Sequence, residues 1–265
     1  MDLASHFEDA GLDWLLPEWD VAPDVRGFAT TRNGGISSGE RATLDLGPAH
    51  LGALDASPRS AILRNRRRVE RFLPSPPVWL EQVHGCVVAS IDAQSLDEAR
   101  ATPPRADGAV TRLANTPLAV RVADCLPVLL ADEAGGVVAI AHAGWRGLAA
   151  GVLERTLQAM QVPPASVSAW IGPGIGPAAF EVGADVRDAF CDADPVSATH
   201  FKARGETRWL ADLPGLAMRR LRMAGVRRIS GGTRCSYSEG ERFFSYRRDR
   251  TPARQAAFVW LASSG

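Results

Sequence analysis

Short apolar runs alternate with amphipathic stretches of helical period along the chain. An apolar run over 25–30 predicts a strand. It ends in Arg32-Asn33-Gly34-Gly35, where glycines permit a turn with positive φ. The stretch 58–72 has helical spacing, with Ile62, Leu63, Val69 and Phe72 on its apolar side. Arg64, Arg66, Arg67, Arg68 and Arg71 form its solvated face. Strands are predicted over 77–80, 86–91 and 109–111. The long apolar run 118–130 reads as buried strand structure, Asp132-Glu133-Ala134-Gly135-Gly136 as a hairpin turn, and 137–142 as the return strand. A helix to Met160 follows Ala143-Gly144-Trp145-Arg146-Gly147. A strand over 168–171 then enters Gly172-Pro173-Gly174-Ile175-Gly176-Pro177. Helices over 184–190 and 212–223 and strands over 227–230 and 256–261 complete the pattern. Hairpins and crossover-like connections together predict an α/β or α+β fold with a mixed sheet. No repeat, low-complexity segment or linker divides the chain, so one domain over 1–265 is expected.

Composition narrows the function classes. The 265 residues suffice for a sizeable core, and 46% hydrophobic with 23% charged residues is ordinary for a globular protein. No apolar run approaches the roughly 18–20 residues needed to cross a bilayer. The start carries Asp2, Glu8 and Asp9 rather than a basic segment followed by an apolar one, so a cytoplasmic protein without a membrane partner is expected. Net charge is zero, which argues against a nucleic-acid polymer as partner. Lys202 is the sole lysine and no motif surrounds it, which excludes a Walker-type phosphate lysine or a typical Schiff base. Cys86, Cys125, Cys191 and Cys235 are scattered without a CxxC pair, so no disulfide framework is expected.

Three interruptions of the apolar pattern carry chemistry. His84 lies between two extended stretches. Asp124-Cys125 breaks the run 118–130 just before Pro127. A buried carboxylate is costly unless paired, and proline interrupts a sheet ladder, so the run is expected to open onto a pocket there. His142 ends the return strand and leads through Gly144 towards a helix carrying Arg146, a place suited to a phosphate or carboxylate. The hairpin turn at Gly135-Gly136 brings positions 125 and 142 near each other, and His84 can converge on them. His84, Cys125 and His142 then have the composition of a catalytic zinc site with one position left open. Other readings of the same residues stand beside it: structural histidines with a buried cysteine, Cys125 as a nucleophile with a histidine base, or a structural metal closed by Cys86. His6-Phe7-Glu8 has the H-x-E form of zinc nucleobase deaminases, but no Pro-Cys-x-x-Cys follows.

The chain resembles the laccase-domain family, whose members are described as multicopper polyphenol oxidase-like proteins, peptidoglycan editing factors and purine nucleoside phosphorylases. The resemblance rests on Thr30-Thr31-Arg32-Asn33-Gly34-Gly35-Ile36-Ser37, Leu80-Glu81-Gln82-Val83-His84-Gly85, Ala106-Asp107-Gly108 and Val122-Ala123-Asp124-Cys125-Leu126-Pro127. It continues through Ala141-His142-Ala143-Gly144-Trp145-Arg146-Gly147 and Ile171-Gly172-Pro173-Gly174-Ile175-Gly176 to Phe243-Phe244-Ser245-Tyr246-Arg247-Arg248-Asp249. Two departures stand out. The first block opens on two threonines, and the loop 44–60 has Asp45-Leu46-Gly47 in place of an Asn-Leu-Gly start.

The resemblance implies a single-domain α/β sandwich similar to the deamidase domain of cytotoxic necrotizing factor, with His84, Cys125 and His142 as zinc ligands. It implies phosphorolysis of adenosine, inosine and 5′-methylthioadenosine, with deamination of adenosine at the zinc's open position. Arg32 beside Gly34-Gly35 and Arg146 at a helix start are the phosphate candidates, because arginine binds such anions bidentately. Gln82 and Arg247 are the further substrate candidates. Cys125, Asp124 and His84 are the catalytic candidates, with Asp124 either moving protons or orienting the site. Phe244 and Tyr246 would wall a purine ring, unless 243–249 is an edge strand with core aromatics. A peptidoglycan-precursor amidase using Cys125 is the alternative activity. A copper polyphenol oxidase needs many more histidines than the five present, although a single copper can occupy such a site in place of zinc. A monomer or small homo-oligomer is expected.

Overall fold

The computed structural model describes residues 2–48 and 56–263. Of the loop 44–60, residues 49–55 lie outside the described residues. In chain order the strands are β1 (Val25–Ala29), β2 (Val78–Trp79), β3 (Val88–Ile91), β4 (Gly108–Thr111), β5 (Leu118–Val122), β6 (Leu126–Asp132) and β7 (Val138–Ala143). They continue with β8 (Val167–Ile171), β9 (Glu181–Val182), β10 (Phe201–Ala203), β11 (Trp209–Ala211), β12 (Arg228–Gly231) and β13 (Gln255–Leu261). The helices are α1 (Leu3–Asp9), α2 (Ala56–Glu70), α3 (Leu96–Ala101), α4 (Trp145–Ala149), α5 (Val152–Met160), α6 (Ala184–Cys191), α7 (Leu213–Met223) and α8 (Tyr246–Asp249).

Two mixed sheets stack face to face. One has the order β12-β8-β6-β7-β4-β3 and the other β1-β13-β5-β2, while β10-β11-β9 form a small third sheet. Strand alternation sorts the core into three layers. Leu129 and Ala131 of β6, with Val138 and Ile140 of β7, meet Leu118 and Val120 of β5 and Ala257 and Val259 of β13 between the sheets. Leu126, Val128 and Leu130 point the other way, onto Leu148, Leu153, Leu157, Phe190, Leu216 and Leu221 of the helices α4 to α7. Phe258 and Trp260 of β13 face outward, onto Phe28, Phe7 of α1 and Val69 of α2. The fold is therefore a mixed α/β sandwich, helix–sheet–sheet–helix, as the sequence led us to expect. Both sheets are covered on both faces, which is why their strands read as continuous apolar runs rather than alternating ones. Emptying one ring position such as Phe258, fully buried, would cost about 3–5 kcal/mol.

Several local expectations are corrected. The run 118–130 is two strands in different sheets, β5 and β6. The chain crosses from one sheet to the other at Ala123-Asp124-Cys125, with Asp124 at φ 104°. The helix expected to run to Met160 breaks into α4 and α5 at Gly151, whose φ of 91° ends one helical turn before the next begins. Leu63 is exposed on α2, so it does not belong to the apolar side. Asn65 is fully buried there instead, its amide bonded to Ser37 Oγ and the carbonyls of Thr43 and Asp45. The segment 243–249 is not an edge strand: it ends in α8, capped by Ser245 Oγ, which accepts from the Arg248 N–H. The helices α1 and α3 and the small sheet gave too short an apolar signal to be read in advance.

Candidate metal centre and its cavity

Three chain segments meet at one corner of the sandwich. His84 follows β2, Cys125 lies in the crossing between β5 and β6, and His142 lies within β7, where it is the register partner of Pro127. Their ligand atoms all lie within 4.8 Å of one another, close enough for one ion with bonds of about 2.0–2.3 Å to reach all three after small adjustment. His142 is buried, Cys125 half-buried and His84 exposed, so the cluster opens to one side. The two imidazoles stand edge to face, with ring centroids 4.9 Å apart.

A buried carboxylate that sequence reading placed only within a motif block organises the corner. Asp107, fully buried just before β4, accepts His142 Nδ1–H at 2.8 Å. Its two oxygens also accept the backbone N–H groups of Val83, His84 and Gly85 at 3.2, 2.9 and 2.7 Å. These bonds hold His84 at a φ of 60°, an unfavourable conformation for a non-glycine residue. Because Nδ1 of His142 donates to Asp107, its Nε2 is the nitrogen left for a metal. The signal available in the sequence was an acid between Ala106 and Gly108 ahead of a strand, where burial demands a partner.

Electrostatics match a metal-ready thiolate. Burial pushes the Cys125 thiol up, but His142 and His84 beside it overcome this and bring its pKa down to about 6. Burial likewise disfavours the His142 imidazolium, yet the Cys125 sulfur and Asp107 raise its pKa to about 9. Asp107 is pushed up by burial and held below its ordinary value by His142 and the backbone donors. Gly144 leaves room for the cluster: a Cβ there would stand 2.8 Å from Cys125 Sγ and 3.2 Å from His84 Cδ2. The donor set, its compactness and this clearance fit a single ion. Cys86 does not join the cluster and packs against the helix-side core, so among the described residues no fourth ligand closes the site.

The cluster faces a cavity of about 630 Å³. Its wall includes Glu81, Gln82, Arg121, Asp124, Phe180, Tyr246, Arg247 and Arg254. Arg247 stands there, with its guanidinium over the Phe180 ring and Nη1 donating to the Glu181 carbonyl. Gln82 also reaches the wall, but its amide is committed: Nε2 donates to the Arg121 carbonyl and Oε1 accepts the Arg121 N–H, tying the His84 loop to β5. Asp124 accepts Ser236 Oγ at 2.6 Å and the Arg247 N–H at 2.7 Å, which locks the strand crossing to α8.

The other phosphate candidates fall elsewhere. Arg32 lies outside the cavity wall, donating to the carbonyls of Ala42 and Gly240 and covering the Phe244 ring. Arg146 is exposed on the five-residue α4 and stacks on Trp145. Glycines beside Arg32 and a helix start at Arg146 suggested anion sites, whereas the glycines at both places serve close backbone packing: a Cβ on Gly35 would collide with the Thr43 carbonyl, and one on Gly147 would stand 2.6 Å from the Gly85 carbonyl. Phe244 is fully buried and does not line this cavity; Phe180 and Tyr246 are its aromatic rings.

A mixed helix–sheet–sheet–helix sandwich with a His-Cys-His cluster at the joint between its sheets defines an α/β protein with a candidate metal centre. The chain belongs to the family described as multi-copper polyphenol oxidoreductase laccase, whose pattern matches residues 26–262. It is 45% identical over 249 residues to a protein of Escherichia coli (strain K12) named purine nucleoside phosphorylase YfiH, covering 93% of this chain and 98% of that one. A Pseudomonas aeruginosa protein named purine nucleoside phosphorylase PA4543 is 43% identical over 249 residues, covering 94% and 98%. Among solved structures, the Neisseria meningitidis protein NMB0706 superposes with a TM-score of 0.88 at 44% identity, covering 95% of this chain and all of that one. YlmD from Geobacillus stearothermophilus superposes with a TM-score of 0.80 at 30% identity, covering 91% and 94%. Among the described residues no helix is long and apolar enough to cross a membrane.

Proposed function

We propose that this chain is a purine nucleoside phosphorylase, with zinc held by His84, Cys125 and His142. The observation that carries the reading is the three-ligand cluster opening on a cavity that offers Phe180 and Tyr246 to a purine and Arg247 to an anion. The names of the curated relatives point the same way. The substrates are adenosine, inosine and 5′-methylthioadenosine, with deamination of adenosine as a second activity. The whole chain 1–265 acts as one cytoplasmic domain, a monomer or small homo-oligomer. Copper is the other ion that this donor set accepts.

In phosphorolysis a phosphate oxygen forms a bond to C1′ of the ribose as the C1′–N9 bond breaks. The bonding pair leaves with the purine, which takes up a proton. A bound zinc ion would supply Lewis acidity at the cluster's open side. The chain's own groups do the rest. Phe180 and Tyr246 flank the base, Arg247 offsets negative charge, and Asp107 keeps His142 in one tautomer. Asp124 acts as a positioning residue, since both of its oxygens already accept protein donors. A multicopper oxidase is not supported by the ligands: of the four histidines among the described residues, two share the cluster, and His6 and His200 lie outside it.

One observation favours a second reading. Cys125, His142 and Asp107 form a thiol–imidazole–carboxylate chain, the arrangement of a cysteine nucleophile with an oriented base. A peptidoglycan-precursor amidase would use it so. The test is incubation of purified protein with adenosine, with and without phosphate, followed by product analysis. Ribose 1-phosphate that forms only with phosphate and is lost in His84→Ala is the expected result. Absence of base and of inosine, together with amidase activity that survives chelation, would overturn the phosphorylase in favour of the amidase.

A further inference from the structure

The cavity wall holds two arginines that the sequence did not single out, Arg121 and Arg254. In the β5–β13 ladder Arg121 is opposite Ala256, so Arg254, two residues earlier, falls on the same face as its diagonal neighbour. That face is the outer one, which further along carries Ala119 and Phe258 into the α2-side core. Where the sheet ends beside the metal cluster, the apolar pattern gives way to these two guanidinium groups.

Neither has a carboxylate partner within ion-pair distance among the described residues. Arg121 Nη2 donates to the Leu80 carbonyl, and Arg254 Nη1 donates to the carbonyls of Thr251 and Ala253. The nearby Asp45 is committed elsewhere: it pairs with Arg41 and accepts the backbone N–H groups of Gly47 and Arg254. Arg66 comes close as well, and its guanidinium and that of Arg121 both cover the Trp79 ring, at 5.0 and 5.4 Å. Burial, with Arg66 and Arg254 adding repulsion, lowers the Arg121 pKa to about 10. Asp45 and Asp124 offset part of the charge on Arg254, but like charges gathered in a half-buried place without a paired carboxylate are unfavourable, and an entering anion relieves that repulsion.

We infer that Arg121 and Arg254 form a phosphate-binding subsite on the β5–β13 side of the cavity, with Trp79 holding Arg121 in place. The inference rests on the phosphorylase reading for its ligand, an oxyanion with several acceptor oxygens suited to two guanidinium forks. That phosphate can arrive free, as co-substrate, or as the 5′-ester of a nucleoside monophosphate.

The test is calorimetric titration of the metal-loaded protein with inorganic phosphate, and separately with adenosine 5′-monophosphate. Wild type is compared with Arg254→Gln, Arg121→Lys and the surface control Arg155→Gln, each confirmed folded by circular dichroism. Arg254→Gln and Arg121→Lys should weaken binding roughly 10- to 100-fold, the range of a lost charge-assisted hydrogen bond, while the control binds as wild type. Loss with inorganic phosphate assigns the subsite to the free anion. Loss only with the monophosphate assigns it to the ester. Wild type binding neither, or both arginine variants binding as wild type, overturns the subsite. Turnover is not needed for this readout. Arginine-dependent binding without any nucleoside cleavage would sink the phosphorylase reading alone, and cleavage with unchanged binding would sink the subsite alone.

Discussion

Asp107 Oδ1 lies 2.8 Å from Nδ1 of His142, and the same carboxylate takes the backbone N–H groups on both sides of His84. One buried side chain therefore sets two of the three candidate ligands. Asp107→Asn replaces one acceptor oxygen with an N–H₂ that faces backbone donors. Metal affinity should fall about 10- to 100-fold, and stability by about 1–3 kcal/mol. Zinc titration against a competing chelator and a thermal melt check both.

Gly144 has an ordinary φ of −70°, so alanine is not strained there. The added Cβ instead collides with the Cys125 sulfur and the His84 ring. Gly144→Ala should reduce metal retained after dialysis by about tenfold or more, the size of effect that a disturbed metal ligand produces. Elemental analysis measures it, and a shifted melting temperature in the metal-free protein of the same size would contradict a ligand-specific effect.

In the metal-free protein the Cys125 thiol loses its proton near pH 6 rather than near its ordinary value of 9.0. The sign follows from the shift: the thiolate is present above about pH 6 and is lost as pH falls through it. Alkylation by iodoacetamide should therefore rise to a plateau just above that pH. His142→Ala should move the inflection upward, because the raising effect of burial remains while the imidazolium is gone. Zinc should protect the thiol.

Asp124→Ala removes the acceptor of Ser236 Oγ and the Arg247 N–H while leaving φ near 104°. A loss of about 1–3 kcal/mol is expected, with faster amide exchange in α8. Asp124→Asn keeps one acceptor and should retain most turnover. If Asp124→Asn instead abolishes kcat with an unchanged melt, Asp124 moves a proton.

The fold class and the meeting of His84, Cys125 and His142 were legible in part, because each of the three interrupts an apolar run and such interruptions must face something polar; their reading as ligands came from the family resemblance. Asp107 was hidden: a single acid among small residues gives no period and no spacing, and its role appears only when β4 is laid beside β7. Arg32 drew attention through neighbouring glycines, whose purpose is backbone proximity, and Arg146 through a helix start that proves only five residues long. Arg121 and Arg254 drew none, since an arginine in a strand or just before one reads as an outward-facing residue. The division of 118–130 between two sheets showed only as the break at Asp124-Cys125, because both flanking strands are almost wholly apolar.

That division has a mechanical consequence. His84 follows a strand of the four-stranded sheet, His142 belongs to the six-stranded one, and Cys125 sits on the chain that passes between them. An ion gripped by all three is a rivet through two plates. Loading and cohesion then share one free energy, amounting to about 2.7 kcal/mol when free metal is a hundredfold above its dissociation constant. A chain starved of metal would be the one whose plates come apart first.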